Sequence, residues 1–79
     1  MRIDLFLKEA RLIKRRSIAK EYCVRGLVLI NGKVAKPSSE VVSGDIINIT
    51  FGEKKFDVAA KVEVVGKKER ASYDSVEPR

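Results

Sequence analysis

Residues 11–20 read RLIKRRSIAK, so five of these ten residues are Lys or Arg. The apolar residues between them are spaced so that two consecutive helices could bury one common face: Leu12, Ile13, Ile18 and Ala19. The cations would then project together from the opposite side. A dense cationic face on rigid helices attracts a regular polyanion, typically nucleic acid. The alternative is an ordinary solvated surface.

The sequence on either side of this segment predicts two helices. The first is expected over residues 1–13, because apolar residues recur there every three or four positions, and Asp4 suits a helix N-terminus. Residues 14–16 break the pattern. The second helix is expected to begin at Ser17, acting as a side-chain cap, and to stop at Gly26.

The rest of the chain changes to a β pattern. Asn31-Gly32 is a strong hairpin signal between two short apolar runs, Leu27–Ile30 and Lys33–Ala35. Two longer strands are predicted further on, over residues 46–51 and 56–65. We therefore predict an α+β fold in which two short N-terminal helices pack on a small, mostly antiparallel sheet.

The organisation predicted from this pattern is one domain over residues 1–66 and a flexible tail over residues 67–79. The tail contains few apolar residues to bury, which is typical of a disordered segment. A chain of 79 residues has a small core and little room for a deep substrate cavity.

The net charge of +6 is unevenly distributed. Residues 1–36 carry ten Lys or Arg against three acids, whereas residues 37–79 carry seven against eight. A generally basic protein would spread its charge, so this polarity indicates a single binding face in the first half.

The composition argues against several classes of site. The chain has no His and only one Cys, so it can form neither an internal disulfide nor a Cys/His zinc site. It also lacks a Ser-His or Cys-His pair and a glycine-rich phosphate loop. We expect no catalytic residue, metal or cofactor, and a buried apolar role for Cys23. Without a signal-like or membrane-spanning apolar run, a cytoplasmic protein that makes no membrane contact is expected.

A set of ordered motifs matches a known family. The residues are Arg2-Ile3-Asp4, Leu7, Lys14-Arg15-Arg16-Ser17, Ala19-Lys20, Gly26, Val28, Ile30-Asn31-Gly32, Lys36-Pro37-Ser38, Val41 and Gly44-Asp45, with Ile47 after them. In this order they resemble the S-four RNA-binding domain, also called the alpha-L RNA-binding motif, over about residues 1–50. The resemblance implies that two helices and a hairpin form a positively charged surface for structured RNA.

The resemblance also suggests partners. The chain is similar to freestanding bacterial members of this family that act on the ribosome. This similarity implies that the protein binds large-subunit rRNA and tRNA. The protein is expected to be a monomer that acts alongside nascent-chain quality-control factors. Alternatives are a heat-shock-type member that recycles stalled large subunits, a general structured-RNA or DNA-binding module, and a protein-interaction module that uses the sheet.

The candidate RNA-binding residues are those with cationic or hydroxyl side chains on the predicted face: Arg2, Arg11, Lys14, Arg15, Arg16, Ser17, Lys20, Lys33, Lys36 and Ser38. Arginines rank above lysines because the guanidinium group can fork onto a phosphate. Asp4 is interpreted as a helix cap, as a brace for one arginine, or as a direct RNA contact. The phenylalanines are expected in the core rather than stacked on bases.

Overall fold

The computed structural model describes residues 1–76 of the 79. Two α-helices precede five β-strands: α1 (Ile3–Glu9), α2 (Arg16–Val24), β1 (Val28–Ile30), β2 (Lys33–Val34), β3 (Ile46–Phe51), β4 (Lys54–Val65) and β5 (Lys68–Ser75). The strands form one antiparallel sheet with the order β2-β1-β3-β4-β5. The predicted α+β arrangement of two helices on an antiparallel sheet is confirmed.

The β1–β2 hairpin has the predicted turn. Asn31 and Gly32 adopt φ angles of 51° and 84°. Two consecutive positive φ values are the geometry that favours Asn-Gly in a two-residue hairpin, because its twist matches that of the strands. The Asn31 side chain also accepts a hydrogen bond from the Ile46 N–H at 2.9 Å, which joins the turn to β3.

The core lies between the helices and one face of the sheet. Alternate residues of β3 and β4 are buried on that face, as expected when a strand presents every second side chain. They cluster with the inward residues of both helices: Ile3, Phe6, Leu7, Ala19, Cys23, Val28, Ile47, Ile49, Val58 and Ala60. Aliphatic side chains thus make up most of the core, and Cys23 is buried among them as predicted.

Helix α1 is shorter than the sequence predicts. It ends at Glu9, and Arg11 adopts a left-handed φ of 63°. The N–H groups of Arg11 and Leu12 bond to the carbonyls of Lys8 and Leu7, both at 3.0 Å. This bond pair forms the Schellman motif, in which one left-handed residue ends a helix. Glycine usually occupies that position. Because an arginine occupies it here, the sequence does not indicate that α1 ends at Glu9.

Helix α2 begins one residue earlier than predicted and without a side-chain cap. Its N-cap is Arg15, whose carbonyl accepts the first helical bond from the Ala19 N–H at 3.1 Å. Ser17 therefore lies inside the first turn, and its interpretation as the cap is wrong. The predicted stop at Gly26 is confirmed, because Gly26 (φ 74°) and Leu27 close a second Schellman motif after Val24.

The C-terminal segment corrects the expected start of the tail. Residues 68–75 form strand β5, which pairs with β4 from Val65↔Lys68 to Val58↔Ser75. Backbone hydrogen bonds rather than apolar burial order this strand, since Ala71 is its one partly buried residue. Because the segment has so few apolar residues, the sequence did not predict a strand there. The end of the predicted tail, residues 77–79, lies outside the described residues.

Candidate nucleic-acid interface

A fully buried carboxylate contacts two of the predicted cations. Asp4, in the first turn of α1, is 0% exposed. Its Oδ1 accepts a hydrogen bond from the Leu5 N–H at 2.7 Å. Its Oδ2 lies 3.2 Å from Nη2 of Arg2 and 3.3 Å from Nε of Arg16. A buried charge is tolerated only when it is paired, and here two cations share the pairing.

Asp4 is therefore a brace, and it holds two arginines rather than the single one predicted. Arg2 is the N-cap residue of α1 and Arg16 is the first residue of α2. The carboxylate thus joins the starts of both helices. Because Asp4 is fully buried, it has no surface to offer a macromolecule, which contradicts the alternative of direct RNA contact.

The two arginines keep much of their surface free. Their side chains are 45% and 42% exposed for Arg2 and Arg16. A guanidinium group has five N–H donors, and the contact with Asp4 uses one nitrogen of each. The remaining donors are held in a fixed orientation, which suits bidentate recognition of a phosphate.

Three further predicted residues lie on the segments next to this pair: Lys20, Lys36 and Ser38. The Ile3 N–H bonds to the Ser39 carbonyl at 2.8 Å, and Arg2 forms an isolated β-bridge with Glu40. The exposed loop that contains Lys36 and Ser38 is therefore fastened to the start of α1. On α2, exposed Lys20 follows Arg16 by four residues and so shares its helix face.

The remaining predicted residues are exposed but are not brought into contact with Asp4. Arg11, Lys14 and Arg15 lie in the segment between the helices, and Ser17 lies in the first turn of α2. Lys33 lies on β2, at the opposite end of the sheet from β5. Among residues 1–76, Lys14, Arg15 and Lys33 form no ion pair with an acid.

Sequence reasoning missed the role of Met1. Its side chain is buried, and its ammonium group donates to Oε1 of Glu40 at 2.7 Å and to the Val41 carbonyl at 3.2 Å. The hydrogen bond to Glu40 raises the pKa of this ammonium group, although burial alone would lower it. These contacts of the ammonium group fix the backbone next to Arg2. No pattern in the sequence predicts them.

The aromatic residues divide between the core and the surface. Phe6 is fully buried, as predicted. Tyr22, Phe51 and Phe56 form a chain of ring contacts, with centroids 5.5 Å and 5.6 Å apart. Phe56 is 46% exposed, so the prediction that it belongs to the core is wrong. These rings flank the segment that joins the two helices, beside Leu12.

The described part of the chain offers no arrangement for metal binding. Among residues 1–76, no three metal-ligating side chains come together.

Burial raises the pKa of the Cys23 thiol to about 11, with a smaller contribution from Asp4, so the thiol stays protonated at neutral pH. No helix within residues 1–76 is long and apolar enough to cross a membrane.

Comparison with known proteins identifies a matching family. Residues 1–47 match the family model of the S4 domain. A Halalkalibacterium halodurans protein named RQC P-site tRNA stabilizing factor is 48% identical over 73 residues, which cover 91% of this chain and 83% of the relative. A Bacillus subtilis protein of the same name is 47% identical over 73 residues, covering 91% and 85%.

A solved structure shows the same fold. The trimeric structure of Vibrio cholerae Heat Shock Protein 15 aligns with a TM-score of 0.74 and 27% sequence identity, covering 91% of this chain and 81% of the other. The family-model match covers both helices and the hairpin, including the Asp4 brace and the arginines that it holds. The chain therefore belongs to the S4 domain family and, within it, to the family of the RQC P-site tRNA stabilizing factors.

Proposed function

We propose that the protein is a non-catalytic RNA-binding factor that contacts large-subunit rRNA and P-site tRNA during ribosome-associated quality control of stalled nascent chains. One observation carries the proposal: a buried carboxylate holds two half-exposed arginines in place on the half of the chain that has all the excess positive charge. The names of its 47–48% identical relatives support P-site tRNA as a partner.

The geometry suits RNA recognised by its backbone. Helical RNA presents phosphates and 2′-hydroxyls, because its major groove is too deep and narrow for side chains to read. Each neutralised phosphate releases counterions, which adds affinity that does not depend on sequence. Fixed arginines add direction to this attraction. We assign phosphate contact first to Arg2 and Arg16, where orientation is imposed by Asp4.

The other candidates are proposed as the flanks of the same surface. Lys36 and Ser38 would extend it from the loop fastened to α1, and Lys20 would extend it along α2. Arg11, Lys14, Arg15 and Ser17 would contact RNA at the segment between the helices. Lys33 belongs to the proposal by its exposure and charge alone.

The assembly and location are also part of the proposal. We propose a monomer in the bacterial cytoplasm, where ribosomes and quality-control factors are found. The Vibrio cholerae neighbour is trimeric, so the oligomeric state needs its own measurement by sedimentation equilibrium. That neighbour also supports the alternative of a heat-shock-type factor for stalled large subunits.

Co-sedimentation tests the proposal. The protein should sediment with large subunits that carry peptidyl-tRNA in preference to empty large subunits or small subunits. Six to ten phosphate contacts should make binding fall by on the order of a thousandfold between low and moderate salt. Equal binding to empty and tRNA-carrying large subunits would remove the quality-control role, whereas a preference for small subunits would also remove the large-subunit assignment.

A further inference from the structure

A second binding feature lies beside the braced arginines. An open groove of about 430 Å³ runs between the segment that joins the helices and the end of β3. Its lining is mostly apolar and aromatic and includes two consecutive cations: Leu12, Ile13, Lys14, Arg15, Ile18, Tyr22 and Phe51. A volume of this size lies in the lower part of the range for small-ligand sites.

The groove has rings available for stacking. Tyr22 comes from α2 and Phe51 from the end of β3, with centroids 5.5 Å apart and planes inclined by 52°. Both are only partly buried, and Ile18 beside them is 40% exposed. Apolar and aromatic side chains that are open to water and contiguous with one another are typical of a surface that receives a ligand.

The charges limit what the ligand can be. No acid lines the groove, and Lys14 and Arg15 form no ion pair within residues 1–76. The surface therefore suits a flat apolar group that carries negative charge next to it. A nucleobase attached to its phosphate has this character, and aromatic rings with nearby Arg or Lys are the usual means of holding unstacked bases.

The backbone connects this groove to the braced arginines. Arg15 is extended, with φ −124° and ψ 137°, whereas Arg16 is the first helical residue. The two consecutive side chains diverge, because Arg16 turns to Asp4 and Arg15 lines the groove. A single RNA strand could therefore present a phosphate to Arg16 while the neighbouring base enters the groove.

We propose that this groove binds one unstacked nucleobase of the RNA held by Arg2 and Arg16. The inference rests on the proposed RNA-binding function and extends it. The protein then reads a structural irregularity, a bulged or looped-out base, in addition to the charge of the backbone. An acidic or apolar protein segment is a poorer occupant, because two neighbouring cations beside two aromatic rings suit a base with its phosphate.

The test uses two RNA hairpins of equal length, one with a single bulged 2-aminopurine and one in which 2-aminopurine is paired. The wild-type protein should bind the bulged hairpin about tenfold more tightly at equal salt, and binding should quench the bulged base, since stacking on an aromatic side chain is favourable for any base. Equal affinity without quenching would overturn the inference and leave RNA binding intact. Failure to bind either hairpin would instead overturn the proposed function.

Two substitutions locate the base. Tyr22→Leu and Phe51→Leu keep an apolar side chain but remove a ring, and each should abolish the preference for the bulge while retaining affinity for the paired hairpin. Phe56→Leu is the matched control, since Phe56 lies outside this groove. If Phe56→Leu removes the preference and the other two do not, the base does not bind in this groove.

A third variant keeps the test valid if the ring substitutions unfold the protein. Ile18→Glu changes a 40% exposed position and places a carboxylate in the groove. The carboxylate should disfavour stacking of the apolar base and repel the phosphate attached to it, and so remove the quenching. The control Val24→Glu places the same charge on the same helix at a position that is 76% exposed and outside the groove. Equal effects of the two would indicate general repulsion and overturn the inference.

Discussion

One acid in the helical half and one in the sheet half of this protein act in opposite ways. In residues 1–36, Asp4 is buried and holds Arg2 and Arg16 from behind, so that much of each guanidinium group stays exposed. In the sheet, Lys61 on β4 and Asp74 on β5 pair at 2.8 Å, and both are exposed. Asp4 therefore orients two exposed cations, whereas Asp74 neutralises the charge of Lys61.

The difference shows that net charge alone does not describe a binding surface. The hydrogen bond to Asp74 raises the pKa of the Lys61 ammonium group, but an exposed pair of this kind adds little stability. The buried acid costs more to desolvate, and its retention is explained if the fixed arginines are needed for binding.

The largest effect is expected from removing the braced arginines. Arg2→Gln with Arg16→Gln should weaken binding to a structured RNA by about a hundredfold, because two charge-assisted hydrogen bonds are lost. Glutamine can still donate to Asp4, which limits the damage to folding. The measurement is fluorescence anisotropy with a labelled hairpin at physiological salt, with a thermal melt as the folding check.

The matched control removes the same charge from the other half of the molecule. Lys67→Gln with Lys68→Gln alters two exposed cations at the β4–β5 turn. This variant should lose less than about tenfold in affinity, as expected for diffuse attraction. Equal losses of RNA affinity for the two double variants would show that only the net charge of the protein determines binding.

A smaller change in RNA affinity is expected from Asp4→Asn, and its direction distinguishes orientation of the arginines from diffuse attraction. The substitution raises the net charge from +6 to +7, so diffuse attraction predicts tighter RNA binding. If Asp4 orients Arg2 and Arg16, binding should instead weaken by about tenfold, because the arginines lose the ion pair that fixes them.

The same RNA titration with Glu53→Gln provides the control. Glu53 is exposed in the β3–β4 turn, and its loss changes the net charge by the same amount. Affinity should stay the same or rise slightly. Tighter binding by both variants would mean that the buried carboxylate has no orienting role.

The elements that the sequence predicts well are those with a local signal. Asn31-Gly32 predicted a hairpin because few other residues accept two positive φ angles. Gly26 predicted the end of α2 for the same reason. Arg11 holds the equivalent position after α1 with φ 63°, and there the sequence predicted continued helix, since an arginine does not announce a left-handed conformation.

The features that the sequence predicted poorly depend on contacts between distant segments. Strand β5 is ordered by its pairing with β4 and has almost no apolar pattern of its own. The brace at Asp4 needs Arg16, twelve residues away, and the order of motifs could suggest only one arginine partner. The groove at Tyr22 and Phe51 joins a helix to a strand, so no spacing rule could reveal it.

The smallest effect concerns the buried side of α2, which has the opposite chemistry to its cationic side. Burial raises the pKa of the Cys23 thiol to about 11 from an ordinary value of 9.0, so the unfolded chain ionises first as the pH rises. The stability contributed by this group is complete below pH 9 and is lost towards pH 11. Between pH 8 and pH 10 this loss should be about 1 kcal/mol, measured by urea unfolding as the difference in pH dependence between the wild type and the matched variant Cys23→Ala. An identical pH dependence in both proteins would show that the thiol ionises freely and that this side of the helix is open to water.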